Sequence, residues 1–434
     1  MKINQTTKVF GPPGTGKTTL LLNQVKEALK FGIRSDEIGY FSFTNKATEE
    51  AKNRLSKEFP NLDVEIDFPG FRTLHSLAYQ TLPTKLKIMS EAEALTFDKS
   101  FYIEKVYMKE NDPTSIVLRA KQIVVDAAAT ARARLVNFHE YLKNAPESDR
   151  YRLNKWLGYS AKYCLRAFEE NDIHKLVLYN EKYELYKSTI GVIDYTSILE
   201  ECIKNEGSIP SYKLLIIDEA QDLSLLQWQI AKLLIKNSDK TFIAGDDDQA
   251  ICESFGANAQ EFLRIEGLDY PLEQSYRIPQ KLHESIFSSG GIINRLRNKY
   301  KRKEKKWLPT LSRRGSIRNL YSSNELINEL KKNPYDWLIL APTHSSLNKI
   351  SLALSESEIS HFLSNKLIDM TSYQNQVNLP SIRLMTIWGA KGGEADNVVL
   401  LKGDYIDDNM LRDDLRLEYV AMTRTKENFF ICKI

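Results

Sequence analysis

"VFGPPGTGKTTLLL" (9–22) sets a glycine-rich turn between a short apolar run and a helix-length segment. Gly11, Gly16, Lys17 and Thr18 satisfy the GxxxxGK[ST] pattern, with Gly14, Thr15 and Thr19 completing the loop. Thr7–Phe10 reads as a buried strand and Lys17 to about Lys30 as a helix. In that setting glycines let backbone N–H groups face phosphates, and the helix amino terminus adds a favourable dipole. Lys17 would offset β/γ-phosphate charge and the Thr18 hydroxyl would hold Mg²⁺. Such loops serve kinases, GTPases, transporters and motors alike, so the rest of the chain must choose among them.

A second stretch narrows the choice. "LLIIDEAQD" (214–222) is an apolar strand that delivers Asp218 and Glu219 at its carboxyl end, where open α/β sheets place ligands. Asp218 can hold Mg²⁺ through water, and Glu219 can polarise an attacking water. "TNKAT" (44–48) has Asn45–Lys46 but no aspartate two residues on to read guanine, and this disfavours a GTPase.

With 434 residues, two or three domains are expected. A net charge of +3 does not announce a polyanion partner. Cys164, Cys202, Cys252 and Cys432 form no CxxC pair and the six histidines are dispersed, so a reducing compartment without disulfides, zinc or an iron–sulfur cluster is expected. With no signal-peptide pattern and no apolar run of spanning length, the expectation is a soluble, cytoplasmic protein that does not contact membrane. Further apolar strand candidates are "IGYFSF" (38–43), "TFIAGD" (241–246), "WLILAP" (337–342), "IRLMT" (382–386), "VVLL" (398–401) and "FFICKI" (429–434). Alternating with helices, they predict two α/β domains with parallel sheets. Between about Pro83 and Asp194 the chain is nearly free of glycine and helix-periodic, as in 118–142, which predicts a helical insertion. "RLRNKYKRKEKKW" (295–307) carries eight basic residues and one acidic, either a solvated helix face or a phosphate-contacting patch.

The order of further blocks is specific. "FTNKA" (43–47), "TLHSLA" (73–78), "IDYTSIL" (193–199), "IIDEAQD" (216–222), "GDDDQAI" (245–251), "LEQSYR" (272–277), "LMTIWGAKGGEADNVVLL" (384–401) and "EYVAMTRTKENF" (418–429) run in sequence across nearly the whole chain. In these the chain resembles the UvrD/Rep family of superfamily 1 DNA helicases. The resemblance implies two RecA-like P-loop domains with ATP between them. Domain 1 would comprise 1–84 and 194–272, with its helical insertion at 85–193, and domain 2 would comprise 273–434. It further implies that Gln249 senses the γ-phosphate, Tyr276 stacks on the base and Glu394 contacts the ribose. Arg277 and Arg424 would stabilise charge in phosphoryl transfer. Phe43, Thr44, Asn45, Thr73, His75 and Thr386 would contact single-stranded DNA, the aromatic by stacking and the polar groups through phosphates.

Four departures from the family pattern carry expectations. Ser254 and Phe255 stand where a tryptophan and an arginine are usual, and Trp388 where a histidine is. Phe255 and Trp388 are therefore expected to share the stacking role. Ten residues precede Gly11, and the lone glutamine, Gln5, lies six positions away, roughly 20 Å if extended. Base selection is then expected to lean on Tyr276. Only about forty residues separate Thr343 from Arg383, so the second-domain insertion (about 343–381) is expected to be much reduced. Such compactness is expected of phage-encoded versions.

The functional expectation is an ATP- and Mg²⁺-dependent 3′→5′ translocase and helicase in replication, recombination or repair. Its partners would be single-stranded DNA, single–double strand junctions and a replication or repair protein. A translocase that strips proteins without unwinding, and a DNA-sensing NTP switch, are the competing expectations.

Overall fold

A computed structural model of the chain describes residues 5–61, 63–90, 92–94, 97, 115–364, 381–402 and 415–434. Parts of both expected insertions, including 98–114 and 365–380, lie outside the described residues. The first part of the chain supplies strands β1 (Gln5–Phe10), β2 (Ile38–Ser42), β3 (Phe71–Thr73), β4 (Lys87–Ile88), β5 (Val192–Ile193), β6 (Leu214–Asp218), β7 (Lys240–Gly245) and β8 (Leu268–Pro271). The second part supplies β9 (Gln274–Pro279), β10 (Leu308–Thr310), β11 (Ser316–Leu320), β12 (Trp337–Ala341), β13 (Phe362–Leu363), β14 (Ile382–Thr386), β15 (Ala395–Lys402) and β16 (Thr425–Lys433).

Two six-stranded sheets result, in the orders β3-β2-β6-β7-β1-β8 and β11-β16-β15-β12-β14-β13. Every pairing in both sheets is parallel. This is the α/β, two-sheet architecture that the apolar runs predict. The reason is visible in β6: Leu215 and Ile217 pack on one face with Phe10, Phe41 and Trp228, while Leu214 and Ile216 pack on the other with Leu21, Leu22 and Val25. A strand covered on both faces needs apolar residues at every position, not at alternate ones. The second sheet repeats the pattern, with Leu338, Leu340 and Val398 on one face and Trp337, Ile339 and Val399 on the other.

The predicted insertion has a core of its own, in which Val124, Ala131, Tyr141, Leu153, Leu176 and Tyr179 are buried together. The β4–β5 pair closes its base, and Arg132 ties it to the first lobe, one Nη donating to both Asp194 oxygens at 2.9 and 3.0 Å. The helix-periodic stretch 118–142 divides between two helices. Helix Ser115–Ala133 stops before Leu135, which takes φ +56°, and Asn137 caps a new helix, Phe138–Lys143.

The basic run divides: Arg295, Arg297 and Lys299 lie exposed on a helix, as a solvated helix face would, and the rest takes another course. Only Ile292–Lys299 is helical; residues 301–306 form an irregular strap that crosses back to the first lobe. There Arg302 and Lys305 are buried against Asp246, Asp247 and Asp248, and Lys303 pairs with Asp269 at 2.5 Å. Their charge is neutralised by residues more than thirty positions upstream, which composition alone does not reveal.

Candidate nucleotide cleft and nucleic-acid edge

All strands of the first sheet end at one edge, and the cleft is assembled there from three neighbours. β1 runs into the phosphate loop, β6 into Asp218–Glu219 and β7 into Asp246. Helix Lys17–Lys30 starts at Gly16, which has φ +81°. Lys17 Nζ donates to the Gly11 carbonyl at 2.7 Å, and Thr15 Oγ1 donates to the Pro12 carbonyl at 2.7 Å, so the loop closes on itself. Thr19 is exposed on the helix, with its hydroxyl accepting from Arg54.

Thr18 Oγ1 donates to Asp218 Oδ2 at 3.2 Å, and the Tyr40 hydroxyl donates to the same oxygen at 2.8 Å. Burial and the neighbouring Glu219 charge push Asp218 up to about 6. A buried carboxylate held above its usual range beside a threonine hydroxyl is a hard-oxygen donor set short of positive charge, and this fits Mg²⁺. Glu219 moves the other way: burial opposes its charge, but Lys17 and Lys391 outweigh burial and hold it below the usual range. Its backbone sits at φ +53°, disfavoured for a residue with a Cβ, and strain of this kind concentrates at functional sites.

The second lobe enters this cleft at several points. Ser275 Oγ donates to the Pro13 carbonyl at 2.7 Å, and Tyr276 N–H donates to the Gly14 carbonyl at 2.8 Å. A Cβ on Gly14 (φ +71°) would lie 2.4 Å from Arg277 Cβ, so only glycine lets β9 come this close to the loop. Arg277 Nε donates to Glu394 at 2.7 Å, and Tyr276 leaves its ring 71% exposed beside the loop. Gln5 begins β1 at the opposite edge of the sheet, where its N–H donates to the Asp239 carbonyl.

Arg424 is buried just before β16, and its NH2 donates to Gln249 Oε1 at 2.5 Å. Burial, with Arg277 nearby, pulls Arg424 down to about 9, against the opposing pull of Glu219 and Glu394. From Gln249 the hydrogen bonds continue. Its Nε2 donates to Asp246 Oδ2 at 2.8 Å, and Asp246 N–H donates to Gln221 Oε1 at 3.0 Å. Gln221 Nε2 then donates to Glu219 Oε2 at 2.5 Å. Lys391 also crosses from the second lobe to pair with buried Asp222. Arg424 and Glu219 are therefore the two ends of one connected network that runs through Gln249. Sequence reading missed Ser275, Gln221, Asp246 and Lys391 as members, although each lies inside a quoted block.

The nucleic-acid candidates lie on neighbouring strand ends. Thr44 follows β2 and Thr73 ends β3; each caps the next helix, accepting from Ala47 N–H at 3.1 Å and Ser76 N–H at 3.2 Å. Asn45 is exposed beside Thr44, and His75 lies partly buried with its ring edge-on to Tyr195. In the second lobe Thr386 ends β14 and accepts from Gly389 N–H at 3.2 Å. Thr343 ends the adjacent β12 and caps helix His344–Glu356. This fourth threonine-capped strand end was missed, though its apolar-strand-then-threonine pattern matches the one at Thr44. The candidates share an edge with the cleft only in the first lobe. In the second, Thr386 sits at a strand's carboxyl end, whereas Glu394 and Arg424 precede β15 and β16 at the opposite edge.

The aromatics divide. Phe255 is 61% exposed on a short turn. Trp388 is not offered for stacking in the same way: its ring packs on the second-lobe core, and Nε1 donates to the Ile251 carbonyl at 3.0 Å. An indole N–H buried near an interface needs such a partner, and here it ties the lobes together. Phe43 is likewise partly buried, wedged where the cores of the two lobes meet.

Comparison with known proteins agrees with this architecture. Residues 1–268 match the UvrD/REP helicase N-terminal domain, and residues 292–434 match the UvrD-like helicase C-terminal domain. Similar curated proteins include a probable DNA helicase of Mycoplasma pneumoniae, 25% identical, with 98% of this chain and 80% of that protein covered. The ATP-dependent DNA helicase Rep of Buchnera aphidicola subsp. Acyrthosiphon pisum is 28% identical over 75% of this chain and 48% of its own length. The ATP-dependent DNA helicase srs2 of Schizosaccharomyces pombe is 27% identical over 65% of this chain and 32% of its own. The chain thus spans half or less of the latter two. With both characteristic domains matched in order over most of its length, the chain belongs to the UvrD/REP helicase family.

Proposed function

We propose that this protein is a cytoplasmic ATP hydrolase that moves 3′→5′ on single-stranded DNA and separates strands at single–double strand junctions, in replication, recombination or repair. The observation that carries the reading is the buried contact of Arg424 with Gln249, which links a guanidinium of the second lobe to Glu219 of the first through four hydrogen bonds. Hydrolysis then depends on lobe closure, and loss of the terminal phosphate releases it, so chemistry becomes domain motion.

Each residue has a physical task in this scheme. Backbone N–H groups from Gly14 to Thr18 cradle the phosphates and Lys17 offsets their charge. Thr18 and Asp218 would hold Mg²⁺, which when bound neutralises charge on the phosphate oxygens. Glu219, ionised and fixed by Gln221, orients and polarises the attacking water. Arg277 and Arg424 stabilise charge that grows on the terminal phosphate, while Gln249 couples its presence to Arg424. Glu394, now paired with Arg277, would exchange that partner for the ribose. Tyr276 stacks on the base. On the polymer edge, Thr44 and Thr73 spend an oxygen lone pair on capping and keep an O–H for a phosphate. Phe255 offers a stacking face, and Thr343 joins Thr386 on the second lobe.

Strand release from 3′- and 5′-tailed duplexes, with Mg²⁺ and each NTP in turn, tests the proposal. The 3′-tailed duplex should be unwound with ATP and the 5′-tailed one should not. Absence of single-strand-stimulated hydrolysis would overturn the motor reading, and release from only the 5′-tailed substrate would overturn the polarity.

A further inference from the structure

Three consecutive carboxylates, Asp246, Asp247 and Asp248, are each no more than 2% exposed and lie close enough together to share one cation. The chain supplies that cation itself. Lys305, 4% exposed on the strap between helix Ile292–Lys299 and β10, places Nζ 2.7 Å from Asp246 Oδ1, 2.5 Å from Asp247 Oδ1 and 2.9 Å from Asp248 Oδ2. An ammonium has three donors, and each faces a different carboxylate. Arg302 adds a bidentate pair to Asp248 at 2.6 and 2.7 Å, and Lys303 N–H donates to Asp247 Oδ2 at 2.8 Å.

Asp246 is the member with a consequence for chemistry. Its Oδ2 accepts from Gln249 Nε2, and that bond decides which end of the Gln249 amide faces Arg424. While Asp246 is fixed, Nε2 is held toward it and Oε1 is left to accept from the guanidinium. If Asp246 turned away, the amide would be released to rotate and set donor against donor at Arg424.

We propose that Lys305 is a positioning residue for hydrolysis: by clamping Asp246 from the second lobe, it keeps Gln249 oriented to receive Arg424. The inference rests on the motor reading above and assigns a task to the strap that the basic run gave no sign of. The strap also leads directly into β10, which pairs with β9, the strand that carries Tyr276 and Arg277 to the phosphate loop. The phosphate loop and Asp246 are thus connected through the β9–β10 pairing, the strap and the Lys305 ion pair. The three carboxylates outweigh burial and hold the Lys305 ammonium well above its usual range, so the clamp stays charged throughout the working pH range.

The test is steady-state ATP hydrolysis with Mg²⁺ and saturating oligo-dT. Lys305→Met should lower kcat about 10- to 100-fold, the scale seen for groups that orient another group's ligands. KM for ATP should move by no more than about twofold, since the loop is untouched. Introduced on a Gln249→Ala background, Lys305→Met should cause no further loss, because the residue it orients is gone. Lys305→Met combined with Asp247→Asn relieves the charge imbalance; it should regain thermal stability but not kcat. Multiplicative losses with Gln249→Ala, or kcat returning together with stability, would make Lys305 merely structural and overturn the inference. If the wild type turns over and Lys305→Met matches it, this inference alone falls. A wild type without hydrolysis would remove it together with the motor reading.

Discussion

The cleft and the polymer edge are built on opposite principles. In the cleft, side chain meets side chain across the lobes: Arg424 on Gln249, Lys391 on Asp222, Lys305 on three aspartates. At the edge, threonines at the ends of β2, β3, β12 and β14 bond to backbone N–H groups a few residues along their own chain. The first arrangement responds to how the lobes sit; the second survives intact whatever the lobes do. On the proposed reading the division has a use: chemistry must sense closure while the grip persists as the lobes part. The comparison can be broken at either end.

The largest effect belongs to the cleft. Arg424→Ala removes the guanidinium that touches Gln249, and kcat should fall about 10³- to 10⁵-fold, as for arginines completed across a cleft. Nucleotide affinity, assigned to the phosphate loop, Tyr276 and Glu394, should be nearly unchanged. Measuring both by single-turnover hydrolysis and equilibrium binding separates the two; an undiminished rate would show that the lobes do not share the chemistry.

The two aromatics sharpen the contrast at the edge. Phe255→Ala removes an exposed ring and should weaken single-strand binding by about 1–3 kcal/mol, with basal hydrolysis unaltered. Trp388→Phe keeps a ring in the core but loses the bond to the Ile251 carbonyl. It should leave single-strand affinity alone and reduce the stimulation of hydrolysis by DNA. The reverse outcome, with affinity lost at Trp388 and kept at Phe255, would move the stacking surface to the lobe junction.

What the sequence revealed of this follows from burial. "LLIID" coincides with β6, and the helix expected over Lys17–Lys30 has those bounds, because full enclosure forces an unbroken apolar run and a loop-to-helix junction forces glycine. β8 was missed because all four of its residues are exposed, and β11 because only Leu320 is buried. The cleft residues stood out as types at fixed spacing on single strands. Lys305 did not, since its meaning comes from carboxylates about sixty positions upstream and not from its own neighbours. Nor did the partner of Trp388: whether an indole is a platform or an anchor depends in part on a carbonyl in another lobe.

The smallest expected effect tests whether the edge is built to work uncharged. Burial pulls His75 down to about 4 from an ordinary value near 6.5, and its place in the first turn of helix Leu74–Thr81 acts in the same direction. The ring is therefore neutral at pH 7 and can meet DNA by stacking or hydrogen bonding but not as a counterion. His75→Gln should then leave the salt dependence of single-strand binding unchanged, because no phosphate neutralisation is lost. The same depression fixes a stability signature. The unfolded chain takes up a proton at His75 below about 6.5 while the folded one resists, so this group's share of stability is whole above that pH and drains away as pH falls toward 4. The acid limb of a Tm-against-pH curve should be shallower for His75→Gln across that window. A salt slope that drops by a full phosphate contact would mean that the imidazole is charged when DNA is bound, and that the edge, like the cleft, changes its electrostatics with its ligand.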